Sequence, residues 1–162
     1  MASTGIDRDM PLAIREVTAN KRLYMPLLLE GDESVTMIDR YLDRGRLYAG
    51  FLGDKAVAVC VITKESDGLV EVKNLAVDSG VRRRGYGRQM LRYVEELHPK
   101  STVTLGTGET PSTLRFYESC GYRFSHRIHG FFTDNYPHPI VEEGVTLRDM
   151  IYLTKNTDQT DV

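Results

Sequence analysis

Arg82, Arg83 and Arg84 stand together between Gly80 and Gly85, with Gly87 and Arg88 just beyond, inside the stretch EVKNLAVDSGVRRRGYGRQ at residues 71–89. A strand-like run ending Leu75-Ala76-Val77 leads through Asp78-Ser79-Gly80 into this cluster, and a helix-like run follows. A glycine-containing loop between strand and helix leaves backbone N–H groups unpaired at the positive end of the helix dipole. Three arginines add full charge to the same place. The chemistry open to it is the holding of phosphate or another compact anion.

Two phosphate devices can be tested on these residues. Gly80-Val81-Arg82-Arg83-Arg84-Gly85 has the glycine spacing of a P-loop. Tyr86-Gly87, however, stands where Lys-Ser/Thr must reach the phosphates and magnesium. Gly85-Tyr86-Gly87 begins like a dinucleotide fingerprint, yet Met90 occupies the third glycine position. Neither nucleotide hydrolysis nor dinucleotide binding follows. The 162 residues carry a formal net charge of −2, so the cluster is a local basic patch on a mildly acidic protein. A discrete anionic ligand fits that balance better than nucleic acid or an anionic membrane surface.

The pattern that does fit is Arg82-x-x-Gly85-x-Gly87, joined to the strand ending Leu75-Ala76-Val77 and followed further on by RFYESCGY at 115–122. In these two signatures, and in the order of elements over 12–153, the chain resembles the GNAT family of N-acetyltransferases. The resemblance implies an α/β (α+β) domain with a mixed, mostly antiparallel central sheet, helices on both faces, and acyl-CoA in a splayed strand gap. It further implies transfer of acetyl from acetyl-CoA to a primary amine of a small molecule or peptide, directly and within a ternary complex. The alternative is a non-catalytic CoA-sensing or interaction domain on the same fold.

By that resemblance the CoA pyrophosphate would rest on Arg82, Arg83, Arg84, Gly85, Tyr86, Gly87 and Arg88. Glycines without Cβ let the backbone come close there. Leu75, Ala76 and Val77 would offer main-chain groups to the pantetheine arm, as in strand addition. Acetyl transfer requires a neutral amine, a polarised carbonyl and a protonated leaving thiolate. Tyr117, matching the tyrosine of the second signature, is the expected acid, because a phenol is protonated at neutral pH. Glu71, five residues before Ala76, matches the glutamate that in some members deprotonates the amine, usually through water. Strict alternation would place Glu71, Lys73, Leu75 and Val77 on one strand face, unless a bulge intervenes. The family's cofactor-contacting asparagine is replaced here by Thr110, whose hydroxyl could cap a helix or touch pantetheine.

Phe131, Phe132, Asn135, Tyr136 and His138, in the loop FFTDNYPHPI, make an aromatic, polar-tipped set suited to lining an acceptor pocket. His126 and His129 would point to opposite faces of a strand, and no further ligand completes a metal site, so no metal is expected. Cys60 lies in the apolar run AVAVCVI and Cys120 beside Gly121, without a disulfide framework or a catalytic partner. With no leader-like or membrane-spanning run, a cytoplasmic protein is expected.

The elements that must position these residues can be read from periodicity and turn signals. Residues 1–10 should be loose, 11–155 one N-acetyltransferase domain, and 156–162 a frayed tail. Strands are expected at 12–17, 47–52, 56–63 and 69–77, with turns at Gly53-Asp54 and Asp67-Gly68. Helices are expected at 21–29 and 33–44, the latter ended by a left-handed Gly45. Met90, Leu91, Val94 and Leu97 mark the face of a helix that Pro99 stops. A strand at 102–105, loosened by Gly106-Thr107-Gly108, leads to a helix opened by Thr110-Pro111. Strands at 122–128 and 146–153 close the chain, and a homodimer through these last strands is compatible with the pattern.

Overall fold

A computed structural model describes residues 11–158. The loose segment expected at 1–10 and the tail beyond 158 lie outside the described residues. Strands β1 (Ala13–Val17), β2 (Arg46–Leu52), β3 (Lys55–Ser66), β4 (Leu69–Val77), β5 (Thr102–Gly108), β6 (Arg123–Ile128) and β9 (Met150–Asn156) form one sheet in the order β1-β2-β3-β4-β5-β9-β6. Only β4 and β5 run parallel; every other neighbouring pair is antiparallel. Strands β7 (Val141–Glu142) and β8 (Val145–Thr146) form a separate small hairpin. The helices are α1 (Met25–Gly31), α2 (Val35–Asp39), α3 (Tyr86–Leu97), α4 (Pro111–Ser119) and α5 (Phe131–Asn135).

Burial on both faces explains why β3 reads as an unbroken apolar run rather than an alternating one. Ala58, Cys60 and Ile62 pack with Met90, Leu91 and Val94 of α3, while Val59 and Val61 pack with Leu28 of α1 and Ile38 of α2. Burial pushes the Cys60 thiol up to about 12, which suits an inert core thiol. Asn156 closes β9, and Thr157 is tied by backbone and side chain to Ser101, so the strand end is held rather than frayed. Among the described residues no helix is long and apolar enough to cross a membrane.

Three backbone features depart from the expected pattern. First, β4 carries a bulge at Lys73: Ile62 pairs with Val72 and Val61 with Asn74, leaving Lys73 without an opposite residue. The alternation therefore flips. Val72 and Leu75, three apart, pack toward the same core, and Glu71 shares its face with Asn74 and Ala76 instead of Leu75 and Val77. Second, Gly106-Thr107-Gly108 does not loosen the chain but completes β5, paired with Tyr152, Ile151 and Met150. A Cβ on Gly106 would lie 2.4 Å from Met150 Sδ, so close packing explains this glycine.

Third, Gly45 is not a left-handed cap. It lies where the chain enters β2, and a Cβ there would sit 2.8 Å from Tyr41 O and 2.9 Å from Ile62 O. Both contacts are backbone and cannot yield cheaply. Gly45→Ala is therefore expected to destabilise the fold by about 1–3 kcal/mol, the usual cost of overpacking, read from the midpoint of urea unfolding. An unchanged midpoint would show that the β2–β3 register gives way freely.

The parallel pair β4–β5 is hydrogen-bonded only from Leu69–Thr102 to Val72–Leu105. Beyond that, both strands continue, β4 to Val77 and β5 to Gly108, without pairing to each other. The sheet thus opens into a gap at the bulge, with main-chain groups of both strands facing it.

Candidate active site

Two cavities meet at this gap. One, of about 560 Å³, is lined on one side by Leu75, Ala76 and Val77 and on the other by Arg82, Arg83, Gly85, Gly87 and Arg88. Its base is the start of α3. Gly85, the N-cap, has φ +86 and no side chain to cap the first-turn amides; Arg83 is also left-handed at φ +66. Two left-handed residues in a short loop turn successive N–H groups to one side, the geometry of an anion nest at a helix N-terminus. Gly87, which lines the cavity, lets the start of α3 lie close to Phe116 of α4, since a Cβ there would lie 3.1 Å from Phe116 Cζ.

The arginines divide their work. Arg82 donates to Val77 O at 3.3 Å and pairs with Glu30 of α1 at 3.0 Å, so it orders the loop across the cavity mouth. The Arg88 guanidinium bonds the carbonyl and hydroxyl of Ser119, tying α3 to α4. Arg84 does not line the cavity, and neither does Thr110, which is fully buried, makes no capping bond, and is replaced at the cavity wall by Ser112 and Thr113.

The second cavity, about 180 Å³, lies beyond the gap and is lined by Asp32, Glu33, Lys73, Asn74 and Glu142 together with the apolar Phe132, Ile140 and Leu147. Leu75, Tyr117 and Glu30 line both cavities. Tyr117 sits on α4 with its ring edge-on to Phe116 at 5.0 Å and to Tyr122 at 6.1 Å, which fixes its direction. Burial, then the neighbouring Cys60 and Cys120, holds its phenol far above the ordinary range, so it stays protonated. A proton donor therefore stands where the two cavities join.

Asp32, at the C-terminal end of α1, is held by three hydrogen bonds in the second cavity. Its Oδ1 accepts from Tyr136 Oη at 2.9 Å and Ser34 N at 3.2 Å, and its Oδ2 from Tyr41 Oη at 3.4 Å. Burial raises its carboxyl, against these bonds, which pull it down. Burial and Glu33 likewise raise Glu142, which reaches the cavity from the β7–β8 hairpin. Asn74 donates Nδ2 to Leu28 O and Tyr41 Oη, at 3.0 and 3.1 Å, while its buried Oδ1 has no partner.

Glu71 lies just below the opening of the gap and lines neither cavity. Its Oε2 takes both Tyr152 Oη and Lys73 Nζ at 3.0 Å, and it is Lys73 that faces the cavity. Of Phe131, Asn135, Tyr136 and His138, only Tyr136 lines it. Phe131 packs behind Phe132, Asn135 bonds Phe131 O and receives Arg40, and His138 is exposed. Short-range reading missed Asp32, Glu33, Asn74 and Glu142, because they come from α1, β4 and a hairpin far apart in the chain. A Cβ on Gly31 would strike Asn74 Oδ1, a contact between elements far apart in the chain. Among the described residues no cluster of His, Cys, Asp or Glu could hold a metal ion.

The family model for the acetyltransferase (GNAT) domain matches residues 43–124. A Bacillus subtilis (strain 168) protein, called uncharacterized N-acetyltransferase YvbK, is 36% identical over 138 residues, which span 83% of this chain and 88% of that one. A GNAT family acetyltransferase from Elizabethkingia anophelis, solved with acetyl-CoA bound, superposes with a TM-score of 0.82 at 32% identity, covering 90% of this chain and 97% of that one. A Bacillus subtilis acetyltransferase in complex with CoA gives 0.80 at 31% identity, covering 90% and 98%.

Proposed function

Because this chain belongs to the GNAT family of acetyltransferases, we propose that it acetylates a small protonated amine drawn into the acidic cavity beside Tyr117. It is an acyl-CoA-dependent N-acetyltransferase. The observation that carries the reading is that Tyr117 and Leu75 line both cavities, so donor and acceptor would meet at one phenol. The acceptor cavity, at about 180 Å³, is smaller than the ~300–1,000 Å³ typical of drug-sized sites, which favours a small molecule over a folded peptide.

The loop suits a pyrophosphate: the left-handed Arg83 and Gly85 and the bare Gly87 make the cradle that an anion of that size needs. The edge of β4 at Leu75, Ala76 and Val77 that β5 leaves open would hold the pantetheine arm. Acetyl-CoA supplies, when bound, the activated thioester. Tyr117 would hold its proton at Oη until the thiolate needs it. Asp32, Glu33 and Glu142 would draw in the ammonium form of the acceptor. Glu71 would take the amine's proton through water at the floor of the gap, since Lys73 and Tyr152 already occupy its Oε2.

Glu71→Gln tests that last role. Loss of a general base typically costs about 10²–10⁴-fold, so kcat/KM should fall by roughly a hundredfold near neutral pH. The deficit should narrow as pH approaches about 10, where alkyl amines deprotonate unaided. A small loss that is the same at every pH would remove Glu71 from proton transfer and leave it as the partner of Lys73.

A further inference from the structure

Resting on the acetyltransferase reading above, we propose that the acceptor cavity is built for an amine with two cationic nitrogens on a short aliphatic chain. The reacting nitrogen would enter beside Asp32 and Asn74, and the second would rest between Glu33 and Glu142.

Charge and its distribution carry the argument. Glu30 and Lys73 both line the cavity, but each is already neutralised, Glu30 by Arg82 and Lys73 by Glu71. Asp32, Glu33 and Glu142 line it as well, and among the described residues no cation forms an ion pair with any of them. Three carboxylates lining one small cavity favour a cation there, although Glu33 and Glu142 are solvent-exposed and their mutual repulsion is partly screened. Glu33 acts on Glu142 across the cavity, since it helps to raise that carboxyl.

A second observation is independent of the carboxylates. Asn74 is 4% exposed, its Nδ2 is committed to Leu28 O and Tyr41 Oη, and its Oδ1 is left without a donor. A buried acceptor without a partner costs free energy unless a ligand supplies the donor. An ammonium, with three N–H groups, can serve Asn74 Oδ1 and Asp32 together. Gly31 leaves this place open, because any Cβ there would fall 2.4 Å from Oδ1.

The sites differ in construction, which argues for two cations rather than one. Asp32 is fixed by two tyrosines and a backbone amide, and lines the cavity that Tyr117 also lines. Glu142 is carried by the β7–β8 hairpin, and Glu33 by the short turn between α1 and α2. The apolar Phe132, Ile140 and Leu147 pack together and line the same cavity, a surface that an aliphatic chain could cover.

The test compares butanediamine with butylamine, a diamine and a monoamine of equal length, for wild type, Glu33→Gln, Glu142→Gln and the double variant. Wild type should prefer the diamine in kcat/KM, and the double variant should lose about tenfold of that preference, the scale of one charge-assisted contact. Calorimetry of butanediamine with the CoA-free protein should show the same weakening, without any turnover. Equal use of both amines by wild type, or an unchanged preference in the double variant, overturns the proposal. If wild type binds acetyl-CoA but acetylates neither amine, the acetyltransferase reading of this cavity fails, and the calorimetric titration alone then decides the diamine seat. Thermal melts of the variants separate loss of binding from loss of fold.

Discussion

Tyr117→Phe should lower kcat by about 10²–10⁴-fold, the range for removal of a positioned general acid, while leaving the affinity for acetyl-CoA intact. The substitution removes one oxygen and keeps the ring. The edge contacts with Phe116 and Tyr122 are made by ring atoms, so the α4 packing that shapes both cavities survives. Because burial holds the wild-type phenol protonated well above the physiological range, its ionisation should not shape the pH profile below about 10. The phenylalanine variant should therefore be impaired at every pH, unlike Glu71→Gln, whose deficit narrows with rising pH. Steady-state rates and calorimetric acetyl-CoA binding, measured side by side, decide the matter. A variant within threefold of wild-type kcat would mean that the leaving thiolate takes its proton elsewhere.

The second large effect is expected at the N-cap of α3. Gly85 has φ +86, and a Cβ there would meet nothing within 4 Å, so the only obstacle to a side chain is backbone conformation. A β-branched residue at such an angle costs about 1–3 kcal/mol, and the loop relieves that strain by abandoning its nest. Gly85→Val should therefore weaken acetyl-CoA by about 10–100-fold in Kd. Asparagine tolerates left-handed angles, so Gly85→Asn should fall between glycine and valine. Calorimetry on the three proteins reads the order directly; equal affinities would show that the amides of this turn do not hold the pyrophosphate.

Much of the cofactor side was legible in the residues because it is local. One continuous segment supplies the strand end at Leu75-Ala76-Val77, the turn at Asp78, and the loop through Gly87. There, Asp78 Oδ1 accepts from Gly80 N at 2.9 Å, a turn that the sequence itself announces. Tyr117 was singled out by its match to the family's second signature, which is likewise a continuous segment, on the helix that Pro111 opens. Arg84, Arg88 and Thr110 show where locality stops. Their types suited the cofactor, but the Arg88 guanidinium is bonded to Ser119 although the residue lines the cavity, and Arg84 and Thr110 are not among the lining residues.

The acceptor side was read less well, and its elements show why. Residues 129–146 hold the one-turn helix α5 and the two-residue strands of a hairpin, too short for any hydrophobic period to register. The hairpin turns at Glu143-Gly144, both with positive φ, and lacks the Asn-Gly or Asp-Gly pair that marks such turns. The bulge at Lys73 is equally silent in the sequence. It arises from pairing with β3, and by shifting the alternation it takes Glu71 off the face of Leu75.

By itself, then, the sequence determined the fold family and the donor, since each rests on residues close together in the chain. Only the tertiary structure decided what the arginine segment opens onto. A strand that stops pairing with β5 after Val72, a buried amide oxygen at Asn74, and carboxylates from the end of α1 and a distant hairpin meet there. Long-range packing sets those positions, and no spacing along one chain records it.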